Sequence, residues 1–154
     1  MIEKSVAKDG QFKELELFQP EINPTELPLI EDGIQAGFPS PATDHLERLL
    51  DINEYLIKNR PATFYARVKG KSMLGAGFNV GDIMVIDRSL EPGDGKIAIC
   101  YLDGEFTVKR LKVEKKRNLV WLMPENEEFE PILITPENEG FLVWGIVTFI
   151  IKKV

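Results

Sequence analysis

Short apolar runs separated by turn-forming residues occupy most of the chain after residue 60. Alternation of apolar and polar side chains predicts a strand over residues 64–68. Further strands are predicted over residues 83–86, 96–102, 105–113, 119–123, 132–134 and 141–154. The pair Asp103 and Gly104, between two of these strands, is typical of a two-residue hairpin turn. Many short strands with regular turns predict a mainly β fold, either a small barrel or a sandwich.

One short helix is predicted, over residues 52–59. Asp51 is a favourable residue to cap its start, and Glu54 at the third helical position completes a capping-box pattern. Pro61 cannot continue a helix, so the helix is expected to end before it.

The first 36 residues differ from the rest of the chain. They combine weak periodicity with three prolines, and they carry three lysines against eight carboxylates, which is −5 of the chain's net charge of −6. This composition predicts an extended acidic arm over residues 1–36, followed by a β-rich domain over residues 37–154. Short apolar pieces at residues 15–18 and 27–30 are candidates to dock on a partner surface. The arm is too short and too acidic for a helix-turn-helix domain.

The bulk composition excludes several classes of protein. The 154 residues suit one ordinary domain with a tail, and the negative net charge argues against DNA binding by the chain as a whole. No run of eighteen apolar residues and no secretory leader is present, so we expect no membrane association and a cytoplasmic location. The single cysteine, Cys100, lies in a predicted strand and is expected to be buried rather than oxidised. With one histidine, His45, neither a metal site nor a cofactor is predicted.

Ser72 lies where the first predicted strand gives way to a glycine-flanked turn. Residues 74–77, with the sequence LGAG, cannot continue that strand. A serine at such a place can simply form the turn. It can also be a nucleophile, if the rest of the chain supplies a base and a substrate.

Lys109 is the candidate base. Alternation along residues 105–113 places it on the same face as Leu111 and Val113. It can be a surface lysine that extends past apolar neighbours, or a neutral amine that takes the proton from Ser72. An ordinary lysine has a pKa of ~10.4, so neutralising it at pH 7 costs about 4.6 kcal/mol, and only burial supplies a shift that large. The backbone amides of Lys71 and Ser72 are the candidate oxyanion donors.

A possible substrate lies in the same chain, at Ala36 and Gly37. Phe38 and Ser40 each precede a proline, which favours extended backbone. The segment can be a linker, or it can be a cleavage site, because proteases bind their substrates as added strands. A glycine after the scissile bond would let a nucleophile approach.

Three segments together resemble one family. Residues 36–42 (AGFPSPA) are similar to its self-cleavage site, residues 70–73 (GKSM) to its nucleophile turn, and residues 103–109 (DGEFTVK) to the strand of its base. The spacing also matches, with 36 residues from Ala36 to Ser72 and 37 from Ser72 to Lys109. Over roughly residues 30–154 the chain resembles the UmuD branch of the LexA-like group of self-cleaving serine–lysine peptidases.

The resemblance implies a LexA/signal-peptidase-like small β-barrel with one short helix and an extended N-terminal arm. It implies that Ser72, with Lys109 as general base, cuts the bond between Ala36 and Gly37. It further implies stimulation by a RecA filament on single-stranded DNA, a homodimeric product, and a UmuC-like Y-family polymerase as the partner in error-prone synthesis during the SOS response.

Two departures from the family and three alternatives remain. UmuD itself has cysteine at the position of Ala36, although Ala-Gly is the cut site in LexA relatives, and the arm is longer here than in UmuD. The alternatives are a non-catalytic β-barrel interaction module, a LexA-type regulator processed in the same way, and a protease acting on other chains. The absence of a membrane anchor argues against the last, since signal peptidases share the mechanism.

Overall fold

A computed structural model describes residues 17–18, 24–30, 36–37 and 47–154. Contacts divide the chain into two units, one of Glu21–Lys58 and one of Met1–Pro20 with Asn59–Val154. The predicted boundary after residue 36 falls within the first of these units and stays a prediction. The backbone expected at Phe38 and Ser40, and the position of His45, lie outside the described residues.

Ten strands and one α-helix are present in the described ranges. The strands are β1 (Leu17–Phe18), β2 (Glu26–Ile30), β3 (Glu47–Asp51), β4 (Thr63–Arg67), β5 (Ile83–Asp87), β6 (Ile97–Leu102), β7 (Glu105–Glu114), β8 (Leu119–Met123), β9 (Ile132–Ile134) and β10 (Leu142–Ile151). The helix α1 is Ile52–Leu56, and short 3-10 turns occur at Arg60–Ala62, Leu74–Ala76 and Lys115–Arg117. The mainly β class and the single helix are confirmed.

The larger unit is built on one antiparallel sheet of eight strands, in the order β1-β4-β5-β10-β6-β7-β8-β9. Among the described residues the two end strands, β1 and β9, do not pair with each other, so the sheet is open where a barrel was expected. These ends are two and three residues long, which leaves few backbone groups for a closing ladder.

The hairpin between β6 and β7 fixes the position of the candidate base. Asp103 and Gly104 have φ values of 51° and 86°, the left-handed backbone that a tight two-residue hairpin requires. This turn pairs Leu102 with Glu105 and sets the register that brings Ala98 opposite Lys109. A turn that the sequence predicts therefore decides which face of β7 carries the lysine.

Two apolar clusters make up the core of the larger unit. The first consists of Ala66, Val68, Met73, Phe78, Met84, Ile86, Ile99 and Phe106, and the second of Ala98, Cys100, Leu111, Leu122, Ile134 and Ile146. Strands β6 and β7 contribute to both, because successive side chains point to opposite faces. Both faces of β7 are covered, which explains why apolar and polar residues alternate imperfectly along it.

The smaller unit contains a strand pair that was not predicted. Strands β2 and β3 are antiparallel over five residue pairs, from Glu26 opposite Asp51 to Ile30 opposite Glu47. The Asp51 side chain then accepts hydrogen bonds from the amides of Asn53 and Glu54 and starts α1, as expected. The helix ends at Leu56, three residues before the predicted end, because Ile57 has extended backbone. No helix in the described ranges is long and apolar enough to cross a membrane.

Candidate active site

Ser72 lies in the turn that follows β4, and the structure buries it. Beyond the end of the strand, Val68 still exchanges backbone hydrogen bonds with Gly81 and Asp82. The chain then turns, and Met73 inserts into the first core cluster with 1% of its surface exposed. Ser72 is thereby held at 8% exposure between a core anchor and a 3-10 turn. The predicted strand end and turn are confirmed.

Lys109 is buried in the middle of β7, with 6% of its surface exposed. Its ammonium group donates hydrogen bonds to Ser72 Oγ at 2.7 Å, to Thr107 Oγ1 at 3.0 Å and to the Val108 carbonyl at 3.2 Å. The face predicted from alternation is the observed one, since Leu111 is buried beside it. A surface lysine is excluded, and the serine and lysine expected to work together are in direct contact.

Small, uncharged side chains of β6 lie next to Lys109. Ala98 lies opposite it on β6, and Cys100 opposes Thr107 on the same face. Burial raises the pKa of the Cys100 thiol to about 12, although the nearby Lys109 charge lowers it in part. The thiol is therefore neutral at physiological pH and gives the lysine no anionic neighbour.

A cleft of about 260 Å³ opens beside the pair. The nucleophile turn contributes Gly70, Lys71 and Ser72 to its lining, and β7 contributes Phe106 and Lys109. The walls are mixed, with apolar residues such as Phe106 and Phe129 beside basic ones such as Arg67 and Lys69. No group of three or more His, Cys, Asp or Glu side chains gathers as a metal site in the described part of the chain.

The two candidate oxyanion donors also line this cleft. Neither the Lys71 amide nor the Ser72 amide donates a hydrogen bond to another group among the described residues. Their carbonyls, in contrast, are bound: Lys71 O accepts from the Asn126 side chain at 2.9 Å, and Ser72 O accepts from the Glu125 amide at 2.7 Å. This arrangement leaves two amides available to a substrate oxygen.

The loop after β8 is the part of the site that the sequence did not indicate. Glu125 and Asn126 contact the nucleophile turn from more than fifty positions away. Pro124 and Asn126 mark the segment as a loop but give no sign of which turn it meets. Only the folded arrangement of β7 and β8 brings it there.

The predicted cleavage site lies in the smaller unit and is exposed. Ala36 and Gly37 form an exposed bend and belong to the smaller unit. A Cβ atom added at Gly37 would meet nothing within 4 Å. Both residues are accessible, as a cleavage site must be.

Comparison with models of known protein families identifies the family of this chain. A family model described as Peptidase S24-like matches residues 28–148. The chain belongs to the Peptidase S24-like family. The match includes Ala36, Gly37, Ser72 and Lys109, so a serine peptidase type of activity is associated with the region that holds the buried pair.

Relatives within the Peptidase S24-like family cover most of the chain. Protein ImpA of Salmonella typhimurium is 44% identical over 131 residues, which is 82% of this chain and 83% of ImpA. Protein MucA of the same organism is 39% identical over 122 residues, 79% of this chain and 82% of MucA. Protein SamA of Salmonella typhimurium strain LT2 is 41% identical over 139 residues, 89% of this chain and 94% of SamA. These relatives are UmuD-like SOS mutagenesis proteins, and the resemblance seen in the sequence is confirmed.

Proposed function

We propose that this UmuD-like chain cuts itself between Ala36 and Gly37 and so becomes an active subunit of an error-prone translesion DNA polymerase in the SOS response. Ser72 is the nucleophile and Lys109 the general base. The observation that carries the proposal is the buried contact of 2.7 Å between Ser72 Oγ and Lys109 Nζ. A serine and a lysine removed together from water are costly to bury and are rarely placed so for packing alone.

The contacts of Lys109 suit a neutral amine. Such an amine has two N–H groups and one lone pair. Thr107 Oγ1 and the Val108 carbonyl can each accept one N–H, and the contact of 2.7 Å with Ser72 Oγ suits the lone pair. The serine hydroxyl then donates to Nζ, the reverse of the bond made by the ammonium form.

The reaction follows from this geometry. Ser72 Oγ attacks the Ala36 carbonyl carbon while its proton passes to Lys109 Nζ. The carbonyl oxygen becomes negative and accepts hydrogen bonds from the Lys71 and Ser72 amides. The bond to Gly37 breaks, and its nitrogen takes the proton from Nζ. Water then attacks the ester on Ser72, gives a proton to Nζ, and that proton returns to Oγ.

Attachment of the substrate to the enzyme makes a modest base sufficient. An intramolecular substrate has a high effective concentration, so one slow turnover per chain is enough for a regulatory switch. No third residue is needed to orient the base, since Thr107 and Val108 already hold the amine.

The proposed partners follow the UmuD-like relatives. They are a RecA filament on single-stranded DNA that stimulates cutting, a second copy of the chain in a homodimer, and a UmuC-like Y-family polymerase, all in the cytoplasm. Removal of residues 1–36 would take away −5 of the net charge of −6. The remaining body would be repelled less by DNA. Equal salt dependence of polymerase–DNA binding by the intact and cut forms would contradict this charge effect.

Incubation of the pure protein at mildly alkaline pH, followed by mass spectrometry of the fragments, tests the proposal. We expect a single break after Ala36, faster as the pH rises because the neutral amine is the base. Ser72→Ala and Lys109→Ala should abolish it, whereas Lys112→Ala, which removes an exposed lysine from the same strand, should cut normally. A chain that stays intact in these conditions and also with RecA, single-stranded DNA and nucleotide would favour the non-catalytic interaction module instead.

A further inference from the structure

The loop after β8 holds the nucleophile turn by three hydrogen bonds. The Glu125 amide donates to Ser72 O at 2.7 Å, and the Gly75 amide donates to Glu125 O at 2.6 Å. The third bond comes from a side chain, since Asn126 Nδ2 donates to Lys71 O at 2.9 Å. Two of the three bonds therefore join backbone atoms, and only the third depends on the identity of a side chain in the loop.

The direction of the Asn126 amide is set from both ends. Its Oδ1 accepts a hydrogen bond from the Glu128 amide at 3.0 Å, which leaves the NH₂ group to face Lys71. A flipped amide would lose both bonds. The side chain thus acts as a fixed donor against one particular carbonyl.

That carbonyl belongs to the same peptide group as a candidate oxyanion donor. Lys71 C=O and Ser72 N–H form one planar trans unit, in which the two bonds point in opposite directions. Lys71 and Ser72 line the cleft beside Lys109, whereas Asn126 lines a second groove of about 780 Å³ that shares Phe129 with the cleft. Because the two bonds of this peptide are opposed, a hydrogen bond that fixes the direction of the Lys71 carbonyl also fixes the direction of the Ser72 N–H.

We propose that Asn126 is a positioning residue for the cleavage reaction: by binding Lys71 O it aims the Ser72 N–H at the oxygen that becomes negative during attack. This proposal rests on the proposed self-cleavage by Ser72. A donor on the carbonyl also polarises the peptide, which strengthens the hydrogen bond that its N–H can give. The Asn126 side chain bonds Lys71 O and the Glu128 amide rather than Ser72 Oγ or Lys109 Nζ, so its effect should be separable from that of the base.

Two substitutions distinguish positioning from packing. Asn126→Asp has the same shape and keeps the acceptor for the Glu128 amide, but it places an oxygen against Lys71 O. Asn126→Ala removes the donor without adding charge. The control is Glu127→Gln, which changes an exposed neighbour in the same loop. Loss of an oxyanion donor costs about 100- to 1,000-fold, so a donor that is misdirected rather than lost should slow cleavage by about 10- to 100-fold.

The experiment measures the self-cleavage rate of the full chain by mass spectrometry from pH 7 to 10, with the thermal midpoint of each variant. We expect the cleavage rate of each Asn126 variant to be lower than that of the unaltered chain by the same factor at every pH. The pH dependence and the thermal midpoint should stay close to those of the unaltered chain. Glu127→Gln should match the unaltered chain. Labelling of Ser72 by diisopropyl fluorophosphate, whose phosphoryl oxygen occupies the oxyanion site, should slow in parallel.

The outcomes separate the two proposals. Unchanged cleavage and labelling in both Asn126 variants would overturn the positioning role and leave self-cleavage standing. A fall in rate that comes with a shifted pH dependence or a lower thermal midpoint would assign Asn126 a structural role and overturn it as well. If the unaltered chain is neither cut nor labelled at Ser72, with RecA, single-stranded DNA and nucleotide present as well as without them, the proposed function itself fails, and the positioning role falls with it.

Discussion

Gly75 and Glu125 approach each other through their backbones, with 2.6 Å between the Gly75 nitrogen and the Glu125 oxygen. A Cβ atom built at position 75 would also lie 2.6 Å from that oxygen. Real Cβ atoms do not come this close to backbone, so the loop after β8 can sit against the nucleophile turn only because residue 75 has no side chain.

Gly75→Ala should therefore destabilise the protein, by about 1–3 kcal/mol as in other overpacked sites, and slow self-cleavage by displacing the loop. The control is Gly70→Ala, since a Cβ atom at position 70 would meet nothing within 4 Å. Urea unfolding of both variants gives the free energies. Equal stability of the two would contradict the close approach.

Thr107→Val should slow self-cleavage by about three- to tenfold. The substitution keeps the shape but removes the hydroxyl that accepts from Lys109 Nζ at 3.0 Å, and a single hydrogen bond is worth about 0.5–1.5 kcal/mol. The Lys109 amine then loses one of the hydrogen bonds that orient its lone pair toward Ser72 Oγ. Thr148→Val removes a hydroxyl that bonds Val85 O on another strand and serves as the control. Cleavage by Thr107→Val at the unaltered rate would show that Thr107 does not hold the base.

Acid stability should depend on Lys152. The Lys152 side chain hydrogen-bonds Asp82 and holds the pKa of that carboxyl below its usual range, with the Asn79 amide and the lysine charge acting in the same direction. The unfolded chain then binds more protons than the folded one as the pH falls, so this stabilisation is present above the ordinary aspartate pKa of ~3.9 and is lost below it.

Lys152→Met should therefore be less stable than the unaltered chain at pH 7, and the difference should shrink as the pH falls below about 4. Lys153→Met, which alters the exposed neighbouring lysine, should change little. Urea titrations from pH 7 to pH 3 measure both. A difference that stays constant across this range would remove the electrostatic explanation.

Cys100 should resist alkylation while the protein is folded. Its side chain is fully buried, and burial raises the pKa of the thiol to about 12, so neither access nor the reactive thiolate is present at pH 8. Iodoacetamide should label the chain fully in denaturant and hardly at all in its absence. Rapid labelling of the native protein would mean that β6 opens readily beside Lys109.

Prediction from sequence succeeded where a local pattern sets the structure. Alternation along β7 placed Lys109 beside Leu111, and the turn at Asp103 and Gly104 fixed the register that keeps it there. The turn at Ser72 was also predicted from its immediate neighbours, the glycines on either side of it. Recognition of the family then depended on the spacing of these segments rather than on any one of them.

Prediction failed where side chains carry no apolar alternation or where distant loops meet. Strands β2 and β3 were missed because Leu27 and Leu49 are exposed and Pro28 lies within a strand, which is tolerated only where its missing N–H is not needed. The contact of Asn126 with Lys71 was missed because it joins loops 55 positions apart. Alternation decides the face of a strand, but not which loops come together at its end.

The pairing of β2 with β3 bears on whether the proposed cut can be reversed. The bond between Ala36 and Gly37 lies in the connection between these strands, so cutting it would turn one folded hairpin into two separate chains. Five residue pairs with largely exposed side chains hold together when the connection keeps their concentration high, and an isolated two-stranded ribbon is marginal in water. Once cut, the strand pairs that hold the first 36 residues to the rest of the protein, among the described residues, would be these and the two residue pairs between β1 and β4, and the broken bond could not be restored. The chain would then record an episode of DNA damage permanently, and only newly made protein could return the cell to the uncut state.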